Sequence, residues 1–92
     1  MDDRQPPPKE AVAIRYDQKQ DKAPRVVAKG AGFVADQILA TARKHTVPVY
    51  QNRTLTAMLM AVELDREIPP DLYKAVAEVL AYIYRLDEGR RK

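Results

Sequence analysis

Residues 25–45 read RVVAKGAGFVADQILATARKH, and the change of period inside this stretch decides the fold. Arg25, Val26, Val27, Ala28 and Lys29 form a short segment, β-branched at its centre, that suits a strand. Gly30 and Gly32 follow at once, and without a Cβ they let the backbone reverse through positive φ. Helical spacing then takes over: Val34, Ile38, Leu39 and Ala42 share one face, and Asp36, Gln37, Arg43 and Lys44 take the other. The apolar run Val47, Pro48, Val49, Tyr50 reads as a further strand. Strand, helix and strand in so short a span predict a right-handed βαβ unit with parallel strands.

Upstream, Ala11, Val12, Ala13, Ile14, Arg15 and Tyr16 read as a first strand, with four apolar residues in succession as expected of a strand covered on both faces. Residues 17–24 are a polar loop ending in Pro24, long enough for a wide hairpin that makes the first two strands antiparallel. Downstream, Asn52 or Thr54 can cap a helix whose apolar stripe is Leu55, Met58, Leu59 and Val62, expected to end near residues 64–66. Ile68, Pro69 and Pro70 stop that helix, and Pro70 and Asp71 suit the first turn of the next. The last helix, expected over residues 70–86, presents Leu72, Val76, Val79, Leu80, Ile83 and Leu86 on one face, while Tyr73, Ala77, Ala81 and Tyr84 carry the apolar surface around its side. Packing against both the sheet and the preceding helix accounts for such a helix; a partner-facing flank is the alternative. The expected fold is therefore a small α/β (α+β) domain: a mixed sheet of three to four strands, three helices, in the order β-β-α-β-α-α. The expected core is Val26, Val34, Ile38, Leu59, Val76, Leu80 and Ile83.

The chain has 92 residues, the length of one small domain with little material to spare for a deep cavity. Residues 1–10 hold Pro6, Pro7 and Pro8, which favour extended polyproline II and read as a flexible leader; residues 11–86 are the domain and residues 87–92 a charged tail expected to fray. The run lacks a P-x-x-P core, which argues against a ligand for proline-reading domains. No cysteine is present, which excludes a disulfide framework and fits the cytoplasm. The longest apolar run, residues 75–84, is broken by Glu78 and far too short to cross a bilayer, and the N-terminus has no signal-peptide pattern, so no membrane insertion is expected.

Charge is unevenly placed. Residues 15–29 carry five cations against two anions, and residues 63–78 five anions against two cations. Arg15, Lys19, Lys22, Arg25 and Lys29 are the candidate partner-binding residues, although a solvated face explains such unevenness as well. These cations are scattered and no aromatic residue is interleaved among them as a base-stacking platform requires, so nucleic acid is not an expected partner.

Little in the residues points to catalysis. Lys29, Gly30, Ala31 and Gly32 superficially resemble a phosphate cradle but meet neither the Walker nor the G-x-G-x-x-G pattern. His45, the only histidine, suits the negative end of the first helix. Serine and cysteine are both absent, which removes the usual hydrolytic nucleophiles. No cofactor, metal or enzymatic activity is expected.

Taken together, AVAIRYD, KAPRVVAKGAG, VPVY and IPPDLYKAVAEVLAYIY, in this order and spacing over residues 11–86, resemble the cytoplasmic domain of the FlhB/YscU family, the export switch proteins of flagellar and injectisome type III secretion. Family members join a membrane-spanning half to this domain, and the sequence here resembles a stand-alone counterpart without that half. The family's switch is an Asn-Pro-Thr-His motif ahead of the first strand, in which the asparagine side chain cuts its own peptide bond. The matching positions here are Pro6, Pro7, Pro8 and Lys9, so only the proline is kept. Proline has no amide nucleophile and lysine cannot act as an imidazole near neutrality, so self-cleavage is not expected. The resemblance implies a binding module of protein export whose partners are the export gate or export substrates. The alternative is a general cytoplasmic interaction protein that has kept the fold and lost the export role.

Overall fold

The computed structural model describes residues 9–17, 19 and 22–90, and side chains through residue 85. The elements run β1 (Glu10–Arg15), β2 (Arg25–Ala31), α1 (Phe33–Lys44), α2 (Arg53–Leu59) and α3 (Pro70–Arg90). β1 and β2 form an antiparallel hairpin in which Ala11 opposes Gly30 and Ala13 opposes Ala28. Ile14 then opposes Val26, so Val27 is an extra residue on β2, a bulge that bends the strand near the loop end of the hairpin.

The two glycines of the opening stretch do different work. Gly32 takes φ 60° at the N-cap of α1, where a side chain is strained. Its N–H donates to the Lys9 carbonyl at 2.7 Å, closing the open end of the hairpin. Gly30 stays within β2, and a Cβ there would collide with the side chain of Val34, so α1 lies close over the strand. Ala35 is the fully buried residue of α1; Val34, expected in the core, is 45% exposed.

The expected β-β-α-β-α-α order is corrected at its fourth element. Among the described residues the sheet has two strands, and Val47, Pro48, Val49 and Tyr50 form an irregular exposed segment. Pro48 has no N–H to give a ladder. The chain also leaves α1 through a tight Schellman turn, with Thr46 at φ 54°, Thr46 N–H donating to Arg43 C=O and Val47 N–H to Ala42 C=O. The partner of β2 comes instead from residues 65–68: Asp65 N–H donates to Val26 C=O at 2.7 Å, Val26 N–H to Arg66 C=O at 3.3 Å and Ile68 N–H to Pro24 C=O at 2.8 Å, and Arg25 bridges to Glu67. No parallel βαβ unit forms among the described residues, because this covering segment arrives after α2 and not after α1.

Asn52 caps α2 by accepting the Leu55 N–H at 3.0 Å. The helix ends at Leu59, several residues short of expectation, and Val62 reaches the core from the turn beyond it. The core is Val26, Leu55, Leu59, Val62, Ile68 and Val76, with Val12, Ile14, Leu72, Val79 and Leu80 packed against it. Three expected members, Val34, Ile38 and Ile83, lie outside this cluster. α3 continues past Leu86 to Arg90, so residues 87–90 of the expected tail are helical, whereas 91 and 92 lie outside the described residues.

Candidate functional site

The hairpin and α3 meet at the loop end of the hairpin. There Tyr16 and Pro24, the residues that follow β1 and precede β2, face the side of α3 that carries Tyr73, Ala77, Leu80, Ala81 and Tyr84. They enclose an open cleft of about 250 Å³. Pro24 is fully buried and Tyr73 and Tyr84 are exposed, so the cleft has a packed apolar base and phenolic walls. Residues 73 to 84 span about 16 Å of helix at 1.5 Å per residue. This cleft lies along the flank of α3 for which the apolar excess raised a partner surface as the alternative to packing; what the pattern could not give was the opposing wall, because Tyr16 and Pro24 read only as the end of a strand and the end of a loop.

The five candidate cations separate into two groups. Lys29 is drawn inward: its Nζ donates to the carbonyls of Met60 at 2.7 Å and Val62 at 2.8 Å, tying β2 to the end of α2. Arg25 also holds the fold, donating through Nη1 to Asp65 C=O at 2.7 Å and lying 3.6 Å from the Glu67 carboxylate. Arg15, Lys19 and Lys22 are exposed on the hairpin's loop side, within three residues in sequence of Tyr16 or Pro24, and are not among the residues that line the cleft. The Lys19 N–H donates to Asp17 Oδ1 at 2.9 Å, a local turn.

Of the four positions matched to the cleavage motif, Pro6, Pro7 and Pro8 lie outside the described residues. Lys9, at the histidine position, pairs with Asp36 in the first turn of α1 at 2.9 Å, with both side chains well exposed. His45 is the C-cap of α1, as its position in the sequence suggests. Among the described residues no group of His, Cys, Asp or Glu is arranged to hold a metal ion. No described helix is long and apolar enough to cross a membrane.

A two-stranded hairpin overlaid by three helices, with a side cleft on the last of them, places the chain among small α+β domains. It belongs to the FlhB HrpN YscU SpaS Family, whose pattern it matches over residues 6–83. It is 48% identical to the YlqH protein of Bacillus subtilis over 85 residues, 92% of this chain and 91% of that one. It is 46% identical to the flagellar biosynthetic protein FlhB of Aquifex aeolicus over 74 residues, 79% of this chain but 21% of the relative. The cytoplasmic domain of FlhB from Shewanella putrefaciens superposes with a TM-score of 0.85 at 38% identity, over 90% of this chain and 65% of that one. The chain therefore spans about a fifth of the length of the flagellar relative it matches.

Proposed function

We propose that this domain is a non-enzymatic binding module of flagellar or type III protein export, which holds an apolar segment of an export component in the cleft between the hairpin loop and α3. The observation that carries this reading is the cleft itself: in a domain this small, an open apolar groove walled by tyrosines is surface that packing alone does not require. Tyrosine supplies large contact area with a polar tip, the usual character of an interface anchor. Membership of the family supplies the export context.

The module acts without cutting itself. Pro6 stands where the family's asparagine would supply the nucleophile, and Lys9, where the histidine would stand, is paired with Asp36. Purified protein is expected to keep its full mass through long incubation at neutral pH, and two fragments split within residues 6–10 without protease would overturn this. The docking role is tested in the protein's own host by deleting the gene, assaying motility and export of hook-type substrates, and restoring wild type or Ala77→Glu. Ala77→Glu is expected to fold and to fail in complementation; full complementation by this variant would remove the cleft from function.

A further inference from the structure

We infer that residues 43–54, with Tyr82 of α3 beside them, form a face that adsorbs to an anionic lipid surface without inserting into it. Charge sets this stretch apart. Residues 37–62 hold no Asp or Glu but three cations, Arg43, Lys44 and Arg53, so the net charge of +3 arises here and the remainder of the chain balances. Every residue from 43 to 54 is exposed. Among the described residues the ion pairs run Lys9–Asp36, Arg25–Glu67 and Glu63–Arg66, and none of the three cations enters one of these. Between the cations lies the apolar run that did not become a strand, in which Val47, Val49 and Tyr50 are 45–54% exposed. The Tyr50 ring meets that of the exposed Tyr82 edge to face, with 5.5 Å between centroids, which joins the run to α3. Tyr82 is not among the residues that line the cleft, so this face is distinct from the docking groove. Within one turn of Tyr82 the exposed Glu78 and Arg85 offset each other.

Exposed aliphatic side chains between cations, with tyrosine among them and no carboxylate in the stretch, match the boundary of an anionic bilayer. The aliphatic groups enter the headgroup layer, tyrosine rings lie at its level with their hydroxyls in water, and the cations meet lipid phosphates. A fluid layer takes up separated apolar side chains without a shape made for them. An acidic peptide that added itself as a strand would need a ladder edge, and this run does not offer one: Pro48 has no N–H, and residues 47–50 belong to no sheet among the described residues.

The test is flotation of the full-length protein with vesicles of phosphatidylcholine alone or of phosphatidylcholine with phosphatidylglycerol. Wild type is expected to float with the anionic vesicles at low salt, to be released as salt rises, and to ignore phosphatidylcholine alone. Removing the cations by Arg43→Gln, Lys44→Gln and Arg53→Gln should weaken binding by about fivefold per residue, roughly a hundredfold in all. Val47→Ser with Val49→Ser leaves the cations in place and should still weaken binding severalfold, since apolar burial contributes as well. A control with the same change in net charge, Lys19→Gln, Lys22→Gln and Lys74→Gln, alters exposed cations outside the face and should bind nearly as wild type does. All of these substitutions lie at exposed positions, and thermal melts confirm that each variant is folded. Wild type that stays with the soluble fraction at low salt would overturn the inference, and binding to soluble polyglutamate in that case would assign the face to an acidic protein. A control that loses as much binding as the triple variant, or a valine pair that loses none, would also overturn it, since net charge alone would then explain the adsorption.

Discussion

Lys29 on β2 reaches across to Met60, and its ammonium donates to the carbonyl of the residue that caps α2, with the Val62 carbonyl as second acceptor. The last carbonyls of a helix have no partner within it, and here a lysine side chain from the sheet supplies one. Replacing Lys29 by Met keeps the aliphatic stem and leaves these part-buried carbonyls short of a donor. The expected loss is about 1 to 3 kcal/mol in urea melts, the range for leaving a buried acceptor without its donor. A melt unchanged from wild type would mean that water replaces the ammonium without cost.

Ile68 is expected to be among the most sensitive positions. It is 2% exposed, sits in the core cluster and donates its N–H to Pro24. Ile68→Ala should cost about 2 to 5 kcal/mol, as for other fully buried aliphatic residues. Leu80→Ala should cost less, because Leu80 is only partly buried and its side chain also lines the cleft. Equal losses at the two sites, measured by urea melts, would place Leu80 deeper in the core than its surroundings indicate.

These two residues show what was legible in the sequence. α3 announced itself by a long apolar period, and Val76 and the partial burial of Leu80 follow from it. Ile68 lies in a short segment ahead of two prolines, where no period exists to mark a buried face. Its burial is imposed by the backbone pairing of residues 65–68 with β2, a contact between segments some forty residues apart. Val47 and Val49 failed in the opposite sense: their composition suits a strand, but β propensity describes fitness for a sheet and cannot say that an edge is offered. The cleft was half legible for the same reason, since one wall lies on a periodic helix and the other on two residues flanking a loop.

Thr46 is expected to respond to substitution by gaining stability. Its φ of 54° lies in the left-handed region at the C′ position of α1, where glycine is the usual residue and a β-branched side chain is disfavoured. Thr46→Gly relieves that strain, partly offset by the greater freedom of glycine in the unfolded chain, and a net gain of about 0.5 to 1 kcal/mol is expected. The measurement is the thermal midpoint. A fall would show that the threonine side chain makes a contact worth more than the strain.

The hairpin loop separates binding from stability. Lys19 and Lys22 are exposed in the hairpin loop, whereas Arg25 is bonded to Asp65 and placed against Glu67. Charges at the rim of an interface steer encounter and set its salt dependence. Exposed charges contribute little to folding. If the export segment carries acidic residues beside its apolar stretch, Lys19→Glu with Lys22→Glu should leave stability within the change expected of surface sites, about 0.5 kcal/mol, while slowing association with that segment and flattening its dependence on salt. Arg25→Glu should instead destabilise, since it loses the hydrogen bond to Asp65 and sets a carboxylate against Glu67. Stopped-flow association at low and high salt, beside thermal melts of the same proteins, checks both. If the lysine pair leaves association unchanged at low salt, the loop takes no part in docking and binding rests on the apolar cleft alone.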